Sequence, residues 1–199
     1  MLVLMFWGGF FVSVSPALRL FAWRLNLDQE DAMCVTQFYL PDNAVLLLEG
    51  WTPDDGMTSM PGDAAALENI GSLLDAWRAG RRPLIHLQDV AKSRISNLVN
   101  PGEPVLRCAS ACPFEGADLK RVLRREGLNC LVWVGAFTAS SLATTMGKAY
   151  MFGFEAYVVP DAILGAPFAM GIDAAVLTTN ETLDALAREH EPSRSSGAS

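Results

Sequence analysis

The sequence predicts an α/β fold: a three-layer, doubly wound, mostly parallel sheet of about six strands. Three observations carry that reading. Residues 44–48, 130–134 and 156–159 are continuously apolar rather than alternating, as in strands covered on both faces. The segments between the runs keep helical spacing, as with Leu67, Ile70, Leu74 and Trp77, which marks amphipathic helices. Residues 129–162 then read as strand, glycine turn, helix, strand, the βαβ unit of a parallel sheet. In such sheets ligands bind beyond the carboxyl ends of the strands. The turn from Gly135 to Ser141 is therefore the first place to look for chemistry.

Each element follows in chain order. Residues 1–15 are almost wholly apolar and stop at Pro16. The run is shorter than the ~20 residues that span a bilayer, and no cationic region precedes it as in a signal peptide. Residues 1–32 are expected to be an apolar arm with an acidic linker, or the product of a start set upstream of Met33, rather than a membrane anchor. Residues 33–190 form the expected domain, and 191–199 a disordered tail. The first strand, 44–48, is placed centrally with Glu49 at its carboxyl end. Residues 51–62 are loop, rich in Pro, Asp, Gly and Met. Asp63 opens a helix that runs to Ala79 and stops at Gly80.

Residues 83–87 form the second strand. Residues 91–103 are irregular, with a turn at Pro101-Gly102, and 105–107 are short and extended. Residues 108–114 are loop. The helix at 117–126 turns Leu119, Val122 and Leu123 inward. After the strand at 130–134, the helix at 139–152 carries Leu142, Met146 and Ala149 on one face and stops at Gly153. The strand at 156–159 ends at Pro160-Asp161. A loop at 163–171, a last strand at 174–177 and a last helix at 181–188 complete the domain.

A chain of 199 residues is long enough for one domain with a sizeable core. Its net charge of −7 argues against nucleic acid as a partner. The basic residues fall in two small clusters, Arg78-Arg81-Arg82 and Lys120-Arg121-Arg124-Arg125. Both are expected at helix carboxyl ends, where cations suit the helix dipole. Cys34, Cys108, Cys112 and Cys130 lack the paired spacing of a zinc site. Reduced thiols in a cytoplasmic protein are the simplest reading.

The motifs resemble a family. The order is an apolar strand ending in an acid, a helix, and then Pro83-x-Ile85-His86-x-Gln88. Next come Phe114, a helix, and a strand closing in Val134-Gly135-x-x-Thr138. A helix with Thr145, Ala149 and Gly153 and then Val158-Val159-x-Asp161-Ala162 follow. This order, across residues 43–186, resembles the isochorismatase-like (cysteine hydrolase) superfamily. The resemblance implies a catalytic acid after the first strand, a lysine after the third, and a nucleophilic cysteine after G-x-x-T. A cysteine there gains acidity from the helix start, and the turn's amides hold an oxyanion. Here all three positions are substituted. Glu49 stands at the acid, Cys108 (or Arg107, if the loop is one residue longer) at the lysine, and Ser141 at the cysteine.

The Asp-x-His metal ligands of the nicotinamidase branch are missing from 51–61, so neither metal nor other cofactor is expected. The resemblance also places a non-proline cis peptide at Ala136-Phe137, a pocket wall of Trp51, Phe114 and Phe137, and turn contacts from Ala136 and Thr138. It implies a homo-oligomer.

Each substitution has a plain reading beside the catalytic one. Ser141 is a weak nucleophile without a base, and a helix-start serine more often bonds backbone amides. Cys108 is a thiolate beside Arg107 or, more simply, a small core filler. His86 is a core histidine satisfied by a partner. Asp161 caps the segment after its strand. Two functions follow. The first is a divergent relative that binds a small apolar or aromatic molecule without cysteine-hydrolase chemistry. The alternative is acid-assisted hydrolysis of a small molecule by Glu49, its pKa raised by burial.

Overall fold

A computed structural model of the chain describes residues 38–50, 63–90, 98–110, 112–116, 118–164 and 175–189. The described strands are β1 (Ala44–Glu49), β2 (Leu84–Asp89), β3 (Val105–Cys108), β4 (Cys130–Ala136), β5 (Glu155–Leu164) and β6 (Ala175–Val176). The described helices are α1 (Asp63–Ala79), α2 (Pro113–Gly116), α3 (Leu119–Arg125), α4 (Ala139–Met151) and α5 (Thr179–Glu189). The arm, the loop at 51–62 and the tail lie outside the described residues.

The six strands order as β3-β2-β1-β4-β5-β6, and every pairing is parallel. The order reverses direction between β1 and β4. A parallel doubly wound sheet opens its ligand crevice at that switch point. The two strands that flank it are also the most deeply buried. Residues 44–48 of β1 and 130–135 of β4 are all buried. Such strands carry apolar residues at every position because helices cover both faces.

Side chains alternate along each strand, so the sheet has two distinct faces. Val45, Leu47, Ile85, Leu87, Leu131, Trp133 and Val158 share one core cluster with Leu119, Leu123, Leu142, Met146 and Ala149. That face is covered by α2, α3 and α4. The other face carries Leu46, Leu48 and His86. There α1 packs on β5 and α5, burying Ile70, Leu73, Leu74 and Trp77. Burying such side chains contributes roughly 1.5–3 kcal/mol each.

Four expectations need correction. Strand β5 does not stop at Pro160 but runs to Leu164. Trp133 pairs with Val158 and Gly135 with Ile163, so Val159, Pro160, Asp161 and Ala162 all face the single residue Val134. Proline lacks a ladder donor, and a bulge leaves none to satisfy. The loop before Phe114 closes earlier than expected, into the short helix α2, and α3 starts at Leu119. Helix α1 does end where expected, but the left-handed residue after it is Arg81 (φ 51), not Gly80. No peptide bond among the described residues is cis, so the Ala136-Phe137 bond has the ordinary trans geometry.

Candidate active site

Two elements bring the crevice together. Glu49 closes β1 and pairs in register with Gly135 of β4. By alternation, its side chain shares the face of Val45 and Leu47, the α4 side. Glu49 is half-buried, and its Oε2 is shielded from solvent. Gly135 has φ +114, a conformation that L residues rarely adopt. A β-carbon there would collide with the Glu49 carbonyl oxygen and lie 2.9 Å from Glu49 N, when ordinary contact begins at 3.4 Å. Glycine is thus what lets β4 turn out of the sheet directly against the acid.

The turn delivers the chain into α4. Thr138 is the N-cap, in extended conformation, and its Oγ1 accepts from Ser141 N at 3.2 Å. Ser141 Oγ reciprocates, accepting from Thr138 N at 3.1 Å and donating to Thr138 O at 3.0 Å. This is a capping box with serine at the third helical position. The Ser141 hydroxyl is therefore held by backbone on both sides. Among the described residues the one histidine lies elsewhere. His86 sits in register with Leu48, on the α1 face of the sheet. Its Nε2 lies 2.7 Å from Glu103 Oε2.

The isochorismatase-domain family model matches residues 42–180. This chain belongs to the isochorismatase family. A secreted isochorismatase effector from Verticillium dahliae is 26% identical over 137 residues, 62% of this chain and 72% of the relative. An isochorismatase-family structure from Burkholderia thailandensis superposes with a TM-score of 0.61 at 21% identity, covering 75% of this chain and 98% of the other. An isochorismatase from Pseudomonas putida gives 0.61 at 22%, covering 85% and 98%. A cysteine hydrolase from Pseudomonas syringae gives 0.63 at 12%, covering 76% and 96%.

In this isochorismatase-family chain, Cys108 ends β3 and is buried, with Sγ 3.8 Å from Leu106 O. It belongs to the core cluster on the α4 face, the same face as Glu49. Arg107 is exposed and, by strand alternation, points to the opposite face. Arg107 and Cys108 thus stand on opposite faces of the strand. Ala136 ends β4 half-buried, Thr138 is exposed, and Phe137 is buried. Phe114 stacks on Phe154 (centroids 5.9 Å apart) and meets Trp133 at 6.0 Å, while Trp133 meets Phe137 edge-on at 6.1 Å. Phe114 and Phe137 are thus members of the packed aromatic core beneath the crevice. Trp51 lies outside the described residues. Asp161, re-aimed by the β5 bulge, accepts from Thr179 N at 3.0 and 3.2 Å and caps α5.

Sequence reasoning missed the partners of the buried polar groups. Arg78 grips Glu103 with two bonds of 2.7 and 3.0 Å, and Asn100 N adds a third at 2.9 Å. The Arg78 guanidinium holds the Glu103 carboxyl down at about 2. Burial lowers the pKa of His86 against the pull of the same carboxylate. No spacing rule links residues 78, 86 and 103, since the link runs through tertiary structure. Trp133 and Phe154 also escaped notice, as buried aromatics in apolar runs carry no signal of their own. Burial, with help from the Glu155 charge, pushes the Cys130 thiol up to about 12, so it is inert. Among the described residues no group of three or more His, Cys, Asp or Glu could hold a metal ion. No described helix is long and apolar enough to cross a membrane.

Proposed function

We propose that this isochorismatase-family chain binds a small apolar or aromatic molecule in the switch-point crevice, without the covalent cysteine-hydrolase step. One observation supports this most. The side chain at the nucleophile position, Ser141, is engaged by Thr138 through both its donor and its acceptor. To attack a carbonyl it would have to break both bonds and pass its proton to a base. The nearest histidine in the chain order of the sheet is paired with Glu103 on the other face. Glu49 remains as the polar group at the crevice floor, able to accept a hydrogen bond from a ligand hydroxyl or amide. The aromatic core beneath it, with Trp133 and Phe137 buried, makes the ground under the acid apolar, which favours an apolar ligand.

A second reading has one observation in its favour. Glu49 Oε2 is shielded from solvent at the carboxyl end of β1, where a general acid would stand. A protonated Glu49 would donate to an enol ether, and water would complete the hydrolysis with no covalent intermediate. One experiment separates the readings. The full chain is incubated with isochorismate and with nicotinamide, and product is followed while benzoate binding is measured by calorimetry. The binding reading expects no turnover, benzoate binding, and a loss of about 10–100-fold in affinity in Glu49→Gln, as for a lost hydrogen bond to a charged group. Isochorismate turnover abolished by Glu49→Gln but kept by Ser141→Ala would establish the acid-assisted enzyme instead. Turnover abolished by Ser141→Ala would overturn both.

Three described cysteines are buried and form no disulfide, which supports a reducing, cytoplasmic setting. The relative from Verticillium dahliae is secreted by its description. Recovery of this protein from the medium of its native cells would reverse the assignment.

A further inference from the structure

Helix α3 carries a cluster of charge that the hydrolase fold does not need. Lys120, Arg121, Arg124 and Arg125 fall within an arc of about 140° at 3.6 residues per turn. Leu119 and Leu123 occupy the opposite, buried side. The outer face of α3 is thus basic throughout, on a chain whose net charge is −7.

Helix stability explains only half of this face. Arg124 and Arg125 stand in the last turn, where the dipole favours cations. Lys120 and Arg121 stand in the first turn, where it disfavours them, and the turn itself holds no acid. The expectation that all four cap a carboxyl end therefore fails, because α3 begins only at Leu119. Spacing adds to the cost. Lys120 and Arg124, and likewise Arg121 and Arg125, are like charges four residues apart, an arrangement that weakens a helix.

Local partners neutralise two of the four. Arg121 pairs with Asp118 at 2.5 Å, and Arg125 with Glu126 at 2.8 Å. Lys120 and Arg124 meet no carboxylate among the described residues. Both instead converge on Phe152. Lys120 Nζ stands 3.8 Å from its ring centroid, and Arg124 donates to its carbonyl at 3.4 Å. The two charges are held side by side on one residue. They line a cleft of about 400 Å³ together with Arg121 and Asp118.

We infer that this cleft binds a small anion with two or more phosphate or carboxylate groups. The cleft has three cations against one carboxylate. Its size falls at the small end of the range for small-molecule sites. A bound polyanion would relieve the like-charge repulsion along α3 and give Lys120 and Arg124 the counter-charge they lack. A nucleic acid or an anionic membrane fits less well. The overall charge repels both, and the apolar side of α3 faces the core. The inference is independent of whether the crevice at Glu49 binds or hydrolyses.

The test uses the full chain and two probes, inorganic pyrophosphate and citrate, by calorimetry at about 50 mM and about 200 mM salt. At least one probe binds, and binding weakens as salt rises. Replacing Lys120→Gln and Arg124→Gln together lowers that affinity about tenfold or more, while Arg125→Gln, outside the cleft, leaves it within about twofold. Thermal melts of the double variant match or exceed the parent, which separates lost binding from lost folding. Which probe binds more tightly assigns the charged group. The inference is overturned if neither probe binds at low salt, or if the double variant binds like the parent. It is also overturned if only duplex DNA or phosphatidylserine vesicles compete for the α3 face.

Discussion

Replacing Gly135 by alanine tests the geometry on which the crevice depends. Two costs add at this position. The first is conformational: φ +114 is a region that L residues populate rarely, with strain of about 1–3 kcal/mol. The second is steric. The new methyl group would meet the backbone of Glu49, which is the far side of a parallel ladder and not a flexible side chain. Displacing a packed neighbour of that kind costs about 1–3 kcal/mol more. Gly153→Ala separates the two terms. Gly153 also has positive φ (+79), but nothing lies within 4 Å of a β-carbon there. It should lose only about 1 kcal/mol, the left-handed penalty alone. Gly135→Ala should lose about 3 kcal/mol or more, or roughly 6–12 °C in melting temperature for a domain of this size. Urea denaturation of both variants with a shared slope gives the difference. If Gly135→Ala falls within about 0.5 kcal/mol of Gly153→Ala, the close approach of β4 to Glu49 is not a constraint, and the crevice argument built on it fails.

Ser141→Ala removes the serine half of the capping box at the start of α4, leaving the bond from its backbone N–H to Thr138 Oγ1, and should cost about 0.5–1.5 kcal/mol by denaturant titration; benzoate affinity that falls with it would mean that the hydroxyl touches ligand. The Glu103 network makes stability depend on pH in a stated direction. Glu103 titrates near 2 when folded and at its ordinary, higher value when unfolded, so its contribution is present at neutral pH and is lost as pH falls from about 4.5 towards 2. His86, lowered by burial, resists protonation in the folded state, so its share begins to fade as pH drops below its ordinary value of 6.5. Melting temperatures from pH 8 to 3 should therefore fall in two stages, and His86→Leu should flatten the upper one; an unchanged upper stage would show that another group titrates there.

Much of the frame was legible because packing and periodicity agree. Helix α1 spans the predicted residues because Ile70, Leu74 and Trp77 recur at the helical interval and are buried. Strand β1 is central because an unbroken apolar run has to be covered on both faces. Legibility ended where backbone choices depend on neighbours. Pro160 looked like a strand terminator, yet the bulge opposite Val134 accommodates it. Asp161 was read as a cap from local pattern, but that its target would be Thr179 follows only from that bulge. Arg78, His86 and Glu103 form one network across residues far apart in sequence, so the histidine was readable as a core residue and its partners were not. The α3 cations were misplaced for a plainer reason. The helix starts at Leu119 and is short, so Lys120 and Arg121 fall in its first turn rather than at its carboxyl end, and the dipole effect expected on them reverses in sign.

On the proposed reading, the same hydrogen bonds let the family fold persist with a serine where the resemblance places the nucleophile. At the first turn of a helix, a cysteine thiolate is stabilised by the dipole and by free backbone amides. A serine in that place has a stronger alternative, because its oxygen is a good acceptor for those amides and its proton a good donor to the turn carbonyl. In this chain both are used on Thr138. On the proposed reading, the bonds that close the helix start are therefore the bonds that withdraw the hydroxyl from chemistry. Glu49 stands where Gly135 lets two strands touch, with a shielded oxygen on the face lined by Trp133 and Phe137. On the proposed reading, Gly135 and the cap serve the fold while Glu49 serves the ligand.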